Sequence, residues 1–510
     1  MPRVAKRKKN RAVKAKTVDM LSNGWRERVG KSEGCGNCTL KCDKRSFCKP
    51  FKGKLRDYSG IRYTADGFDC ALPVAMDSHS TCSFRCMYCF SNYLMRDPCR
   101  REAYAHGTES AYAVGQTSLA EVERLVSGKC DPNGWTGRMH RALLEVGGEK
   151  APNRCPIQFG ALGDPFDNIE RHQGWALQAL PIFNKYDQPV RVSTKGGVLL
   201  QDPRYLKAIG VKPELYWFAF STISIDGSVL SKVDKDAPTP KERLAAMRAL
   251  TRMGCKASLR FRPILPGVSD STRKHPKAWR DLIRAAADAG AQAISMEFAF
   301  VPGSRPAHIA GMWKEIEKCS GIPIVEHYED TTSIKGECLR SSRAWKEDLT
   351  LAIYEECKKL GWTFGISDPH FKELNDSGCC CGILPNDPMF GGWQRNNATN
   401  ALVRARKMYE RKLKDRTISA VDGVPLWAED VLLDQMVCIS GPRNVYRRTH
   451  TTWADKLRTT WNDVSGPRGP LQYFEGALWP VGRDKDGNVL YEYRPPKSRD
   501  KSIEIPFLKV

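Results

Sequence analysis

From residue 68 to about residue 300 the chain repeats one pattern, a short apolar run followed by an amphipathic stretch of helical period. The strand candidates are Phe68–Met76, Ile157–Leu162, Pro189–Thr194, Leu215–Ser221, Lys256–Pro263 and Ala291–Phe300. The helical stretches between them are Leu119–Val126, Trp135–Val146, Arg171–Leu180, Pro203–Ile209, Thr239–Met253 and Pro276–Ala289. Local signals agree: Thr239 precedes Pro240 as an N-cap would, and Gly254 closes that helix. Six strands alternating with helices predict parallel βαβ units, hence an α/β fold built as a barrel or an open parallel sheet. Ligand groups then belong at the C-terminal ends of the strands.

The rest of the 510 residues divides around this core. Residues 1–20 form a basic tail and 21–67 a polar, cysteine-rich segment. The core is expected over 68–330. A cysteine-containing segment follows over 331–445, with a helix at Trp345–Leu360 and a basic helix near Asn397–Lys414. Residues 446–510 form a basic extension rich in Trp, Tyr, Arg, Pro and Gly, expected to be β-rich or irregular. No apolar run is long enough to span a membrane and no apolar stretch follows the N-terminal charges, so a cytoplasmic protein without a membrane partner is expected.

Charge points to a class of partner. The net charge is +23, and eight Lys or Arg fall in the first sixteen residues without an acid. A field of that sign favours polyanions, so nucleic acid is the expected partner, although a solvated basic tail has the same composition.

Nineteen cysteines in a chain of this kind read as metal or cluster ligands plus buried thiols, not as a disulfide framework. The sharpest group is Cys82-Ser-Phe-Arg-Cys86-Met-Tyr-Cys89, directly after the first strand. Three thiolates spaced C-x3-C-x2-C can take three corners of a [4Fe–4S] cubane from one loop and leave the fourth iron open. A structural zinc site wants four closed ligands, which a lone triplet does not supply, although His79 could add one.

This triplet resembles that of the radical S-adenosylmethionine (SAM) superfamily, where an aromatic residue commonly precedes the third cysteine, as Tyr88 does here. Further segments resemble spore photoproduct lyase and its relatives. They are Phe159–Phe166 leading into Asn168-Ile169-Glu170, Val192–Asp202, Phe220–Ile223, Pro238–Arg243 and Arg262–Gly267, in that order. The likeness covers about residues 68–300. It implies a partial (β/α)6 TIM-type barrel, a [4Fe–4S] cluster and SAM as cofactors, and an electron donor such as flavodoxin or ferredoxin. It assigns Asp164, and Gly163 through its backbone, to the SAM ammonium group. Lys195 and Ser221 are assigned to the SAM carboxylate or ribose. Arg260 and Arg262 alternate onto one face of the fifth strand, where two cations need an anion, either the SAM carboxylate or a substrate phosphate. Gly147-Gly148-Glu149 follows a helix and reads as its C-cap. One departure stands out: in the lyase a cysteine beside the SAM-binding segment donates hydrogen, and Phe159–Phe166 has none. Cys155 lies at the other end of that strand.

One or two of Cys35, Cys38, Cys42 and Cys48 are expected to join two of Cys379, Cys380 and Cys381 in an auxiliary Fe–S cluster or zinc site, the alternative being thiols without metal. Asp368 and His370 lie just before that triplet with no assigned role. The preferred function is radical SAM chemistry on a nucleic-acid base. The alternatives are a radical SAM enzyme acting on a peptide or small metabolite with an auxiliary cluster, and a non-catalytic zinc-bearing nucleic-acid-binding protein.

Overall fold

The structure, a computed structural model, describes residues 55–63, 72, 74–84, 86–92, 114–145, 154–303, 305, 307–331, 338–376 and 380–390, with 462–464, 471, 478–483 and 487–493 near the C-terminus. Its centre is an eight-stranded sheet of β1 (Ile61–Tyr63), β2 (Val74–Met76), β3 (Ile157–Phe159), β4 (Val190–Thr194), β5 (Tyr216–Ser221), β6 (Lys256–Ile264), β7 (Ala293–Phe298) and β8 (Thr363–Ile366). The strands lie side by side in chain order. From β2 to β8 every pairing is parallel, and β1 is antiparallel to β2 at the edge.

All six expected strands are present, adjacent and parallel. A seventh parallel strand, β8, comes from beyond residue 330, so the sheet takes in part of the segment that composition had set apart. Parallel neighbours in chain order need a crossover at each step. The helices supply them: α1 (Leu119–Ser127), α2 (Trp135–Glu145), α3 (Asn168–Gln173), α4 (Trp175–Lys185), α5 (Pro203–Ile209), α6 (Gly227–Val233), α7 (Pro240–Arg252), α8 (Ala278–Asp288), α9 (Ala307–Ser320), α10 (Ile324–Thr331) and α11 (Arg343–Lys359). Right-handed crossovers repeated in one direction place the helices on one face.

Helix ends follow local chemistry. Thr239 and Glu242 form a reciprocal capping box ahead of α7, a device worth about 1 kcal/mol. The single helix expected over Arg171–Leu180 is two, α3 and α4, because Gly174 takes φ +62° between them.

Alternation divides the sheet. Val192, Phe218, Leu259 and Met296 face the helices and join one continuous apolar core. Arg191, Ser193, Ser258, Arg260 and Ser295 fall on the opposite, inner face. The segment 380–390 lies against that inner face. Arg191 and Arg262 donate to the Cys381 and Cys380 carbonyls at 3.2 and 2.6 Å. The Phe390 ring meets Trp217 edge-on at 5.7 Å. In the expected β-rich extension, Leu478–Arg483 and Val489–Tyr493 pair as an antiparallel hairpin. The basic helix near Asn397–Lys414 and the Gly147–Glu149 cap lie outside the described residues. No described helix is long and apolar enough to cross a membrane.

Candidate cluster and cofactor site

The loop that carries Cys82, Cys86 and Cys89 leaves the C-terminal end of β2, where a βα fold gathers its reactive groups. Asp77, the first residue after β2, fixes its entry. One carboxylate oxygen accepts from the Leu162 and Gly163 amides at 2.8 and 3.0 Å, and the other meets Arg62 at 2.6 Å. The short strand Val114–Thr117 then clamps residues 78–80. Thr117 N donates to Ser78 O, Ser80 N donates to Gly115 O, and Gly115 N donates to the Ser80 hydroxyl. A third anchor is Asp167. It caps α3, and its second oxygen accepts from Ser83 N at 2.7 Å. Burial pushes the Asp167 carboxyl up to about 7.

The second and third cysteines rest on an apolar bed. Phe84, Met87 and Tyr88 pack with Ile223, Leu230 and Val233. Met87 N donates to Val233 O at 2.9 Å. Into this bed reaches Lys195, from the end of β4. Its ammonium donates to Cys86 Sγ at 2.9 Å, Tyr88 Oη at 2.7 Å and Asp234 Oδ1 at 3.0 Å. Asp234 is shared with Arg243 at 2.7 Å. Burial works against both Asp234 and Lys195 as ions. For Asp234, Lys195 and Arg243 outweigh it and hold the carboxyl well below the ordinary range. For Lys195, Asp234 and Cys86 outweigh it and hold the ammonium well above its own. Two buried cations and one carboxylate leave one positive charge, which the thiolate form of Cys86 neutralises.

The donor set therefore fits a cluster. The three thiols sit on one loop at the strand mouth, Cys86 buried and Cys82 and Cys89 partly exposed. Among the described residues no three His, Cys, Asp or Glu side chains converge on one metal ion. A cubane does not ask for that convergence, because each thiolate takes a different iron. Burial pushes the thiols of Cys82 and Cys86 up, so ligation has to displace their protons. His79, considered above as a zinc ligand, is turned away from this task. Its ring nitrogens meet the Ser78 hydroxyl at 3.0 Å and the Gln116 amide at 3.3 Å, and burial lowers its pKa to about 3.

The residues assigned to SAM all reach this mouth, but several already have protein partners. The Asp164 carboxylate accepts from Thr194 Oγ1 at 2.7 Å, Phe166 N at 2.9 Å and Lys195 N at 2.5 Å, tying the β3 loop to the end of β4. The Gly163 amide donates to Asp77, and a Cβ there would lie 3.1 Å from the Thr81 carbonyl, so the cysteine loop passes close against it. The three donors of Lys195 are engaged as described. Ser221 Oγ accepts from Arg260 at 3.0 Å, and its carbonyl accepts from Arg243 at 2.8 Å.

Arg260 and Arg262 share the inner face, as alternation predicts. Arg262 donates to Glu297 at 3.4 Å and to Cys380 O at 2.6 Å. Burial, Arg262 and Arg191 together lower the Arg260 pKa to about 10. Of the cysteines expected in an auxiliary centre, Cys380 and Cys381 lie on this face. Cys35, Cys38, Cys42, Cys48 and Cys379 are outside the described residues. Cys155 is buried at the N-terminal end of β3, remote from the cysteine loop along that strand. Asp368 forms a buried ion pair with Lys346 at 2.8 Å.

Sequence reasoning did not single out Asp77, Asp167, Asp234 or Arg191. Asp77 and Asp167 carried a signal, since each follows a strand or opens a helix beside an assigned segment. Asp234 and Arg191 acquire their roles only from partners distant in sequence.

No protein family and no curated protein matches the sequence. Among solved structures, a spore photoproduct lyase variant with bound AdoMet and dinucleoside spore photoproduct is 13% identical. It covers 62% of this chain and 80% of its own, with a TM-score of 0.40. Spore photoproduct lyase complexed with dinucleoside spore photoproduct gives 13%, 62%, 81% and 0.40. The radical S-adenosylmethionine methyltransferase TsrM from Kitasatospora setae, with tryptophan substrate and the SAM analogue aza-SAM bound, is 11% identical. It covers 68% of this chain and 62% of its own, with a TM-score of 0.35. The chain is thus similar to spore photoproduct lyase and to a radical SAM methyltransferase of known structure.

Proposed function

We propose that this protein is a radical SAM enzyme that modifies or repairs a nucleic-acid base. One observation carries the catalytic class: a C-x3-C-x2-C loop at the C-terminal end of the first parallel strand, anchored by Asp77, Asp167 and the Lys195–Asp234 pair. Cys82, Cys86 and Cys89 would hold a [4Fe–4S] cluster. When bound, the cluster would supply the one electron needed to cleave SAM reductively at its C5′–S bond, giving methionine and a 5′-deoxyadenosyl radical.

The chain's own residues set the stage. The apolar bed of Phe84, Met87 and Ile223 keeps water from Cys86. Lys195 orients Cys86 and spreads positive charge over its sulfur. Asp164 and Gly163 hold the loop that borders the cofactor. Ser221 is the polar group best placed for a carboxylate at the strand mouth. The net charge of +23 supports a polyanionic substrate, and reduction would come from a small electron carrier of the flavodoxin or ferredoxin kind.

Anaerobic reconstitution followed by iron and sulfide analysis, with SAM turnover read by mass spectrometry, tests the class. About four irons, lost on changing Cys82, Cys86 and Cys89 together to Ala, and 5′-deoxyadenosine formed under reduction are expected, assuming one cluster. Iron retained in full by the triple variant, or reduced protein that leaves SAM intact, overturns it.

A further inference from the structure

The inner face of the sheet carries a charge imbalance that the cluster site does not use. Arg191 is buried, and Arg260 and Arg262 are partly exposed, all on one face of β4 and β6. Their partners are mostly neutral. Arg191 donates to Gln158 at 2.6 Å, to Ser193 at 3.1 Å and to the Cys381 carbonyl. Arg260 donates to the Ser221 hydroxyl. Among the described residues no carboxylate lies within ion-pair distance of Arg191 or Arg260, and Glu297 meets Arg262 at the long separation of 3.4 Å. Arg191 Nε and Arg262 Nε are buried and meet no acceptor.

Three guanidiniums against one carboxylate leave an excess of two positive charges. An unpaired buried charge costs several kcal/mol, and folded chains keep one where a ligand compensates it. The thiol of Cys89 faces Arg260, but as an iron ligand its charge is shared with the metal. The guanidinium fork matches phosphate oxygens two at a time. A carboxylate answers one of the two excess charges. A nucleotide turned out of a strand carries a phosphodiester on each side, and these two negative charges answer both.

We propose that Arg260 and Arg262, with the charge of the buried Arg191 behind them, form an oxyanion site for the phosphates flanking an everted nucleotide, whose base is thereby presented to the mouth where the cysteines lie. This deepens the proposed function and rests on it for the identity of the chemistry, though not for the binding itself.

The test is equilibrium dialysis of the anaerobically reconstituted full chain with a labelled deoxynucleoside, its 5′-monophosphate and its 3′,5′-bisphosphate, with labelled SAM run in parallel. Affinity is expected to rise with each phosphate. Arg260→Gln should weaken the bisphosphate at least about tenfold, or 1.4 kcal/mol, leave the nucleoside unchanged and keep the iron content. Arg262→Gln serves as a second variant should the first not fold, and deletion of residues 1–16 should not abolish the discrimination. Equal binding of nucleoside and bisphosphate by the wild type, or full bisphosphate affinity in folded Arg260→Gln and Arg262→Gln, overturns the site. Loss of SAM binding alone in Arg260→Gln also overturns it, by assigning that guanidinium to the SAM carboxylate. Failure of the radical SAM reading would appear separately, as absence of cysteine-bound iron, while dialysis still reports on the arginines.

Discussion

Lys195 is the residue on which the site turns. Its ammonium joins Cys86, Tyr88 and Asp234 in a volume closed to water, and Asp234 carries the charge on to Arg243. Removing one partner of a buried pair is costly, about 3–5 kcal/mol. For Lys195→Met the lower end is expected, because Arg243 still faces Asp234. Asp234→Ala should cost more, since two buried cations are then left together. Denaturant midpoints of the two variants check this order. The N–H···S contact also draws electron density from the sulfur, so Lys195→Met should lower the midpoint potential of the proposed cluster, read by redox titration followed by EPR. The likeness to known motifs located Lys195 at the strand end and assigned it to a cofactor, but its contact with Asp234 was not legible, because the position of Asp234 beside it is a product of the fold. A second residue-scale prediction concerns pH. Glu170 is buried, with Tyr205 and two backbone amides as donors. Burial nonetheless pushes its carboxyl up to about 8. Between about pH 4.3, the ordinary glutamate value, and pH 8 the folded chain therefore holds more protons at this site than the unfolded chain. Stability should then fall as pH rises through that window, by up to about 1.4 kcal/mol per pH unit. Denaturation of metal-free protein at pH 5.5 and pH 7.5 measures the slope. Because His79 tilts the total the other way up to about pH 6.5, the comparison is with Glu170→Gln, and an identical slope in that variant would rule out the buried neutral carboxyl.

At the scale of elements, the sheet was legible because its signal is periodic. Runs such as Tyr216–Ser221 are buried at every position, as expected of parallel strands covered on both faces. The seventh strand, Thr363-Phe-Gly-Ile366, escaped because four residues with a glycine make a weak pattern. It is found by its register with Ala293–Met296. The segment 380–390 escaped for a different reason. It has no period of its own and is ordered by what it touches: Arg191, Arg262, Trp217, and Lys256 through Asp387. Gly382 permits that seating. It takes φ +60°, and a Cβ there would lie 2.1 Å from the Ile294 carbonyl. Gly382→Ala should unseat the segment at a cost of about 2 kcal/mol. Hydrogen exchange should then quicken over 380–390 while β5 and β6 stay protected. Unchanged exchange in the segment would show that the contact yields without cost.

For the molecule as a whole, charge is the property that acts at a distance. A net +23 spread over 510 residues cannot choose a fold, but it raises the local concentration of any polyanion. Its sources separate cleanly. Eight cations lie in the first sixteen residues and leave +15 on the remainder, whereas the inner-face arginines are few and sheltered. Cations that meet phosphates along a polyanion release counterions, so their contribution to nucleic-acid binding should fall steeply with salt. Contacts inside the fold should be screened much less. Retention of the full chain on single-stranded DNA or RNA should therefore drop sharply between about 50 and 200 mM salt. Deleting residues 1–16 should make that slope shallower, with little change in the phosphate preference measured with mononucleotides. A deletion variant with the parent salt slope would place the polyanion contact elsewhere on the chain. Absence of retention even at low salt would remove nucleic acid as the proposed substrate and favour a smaller one for the proposed radical chemistry.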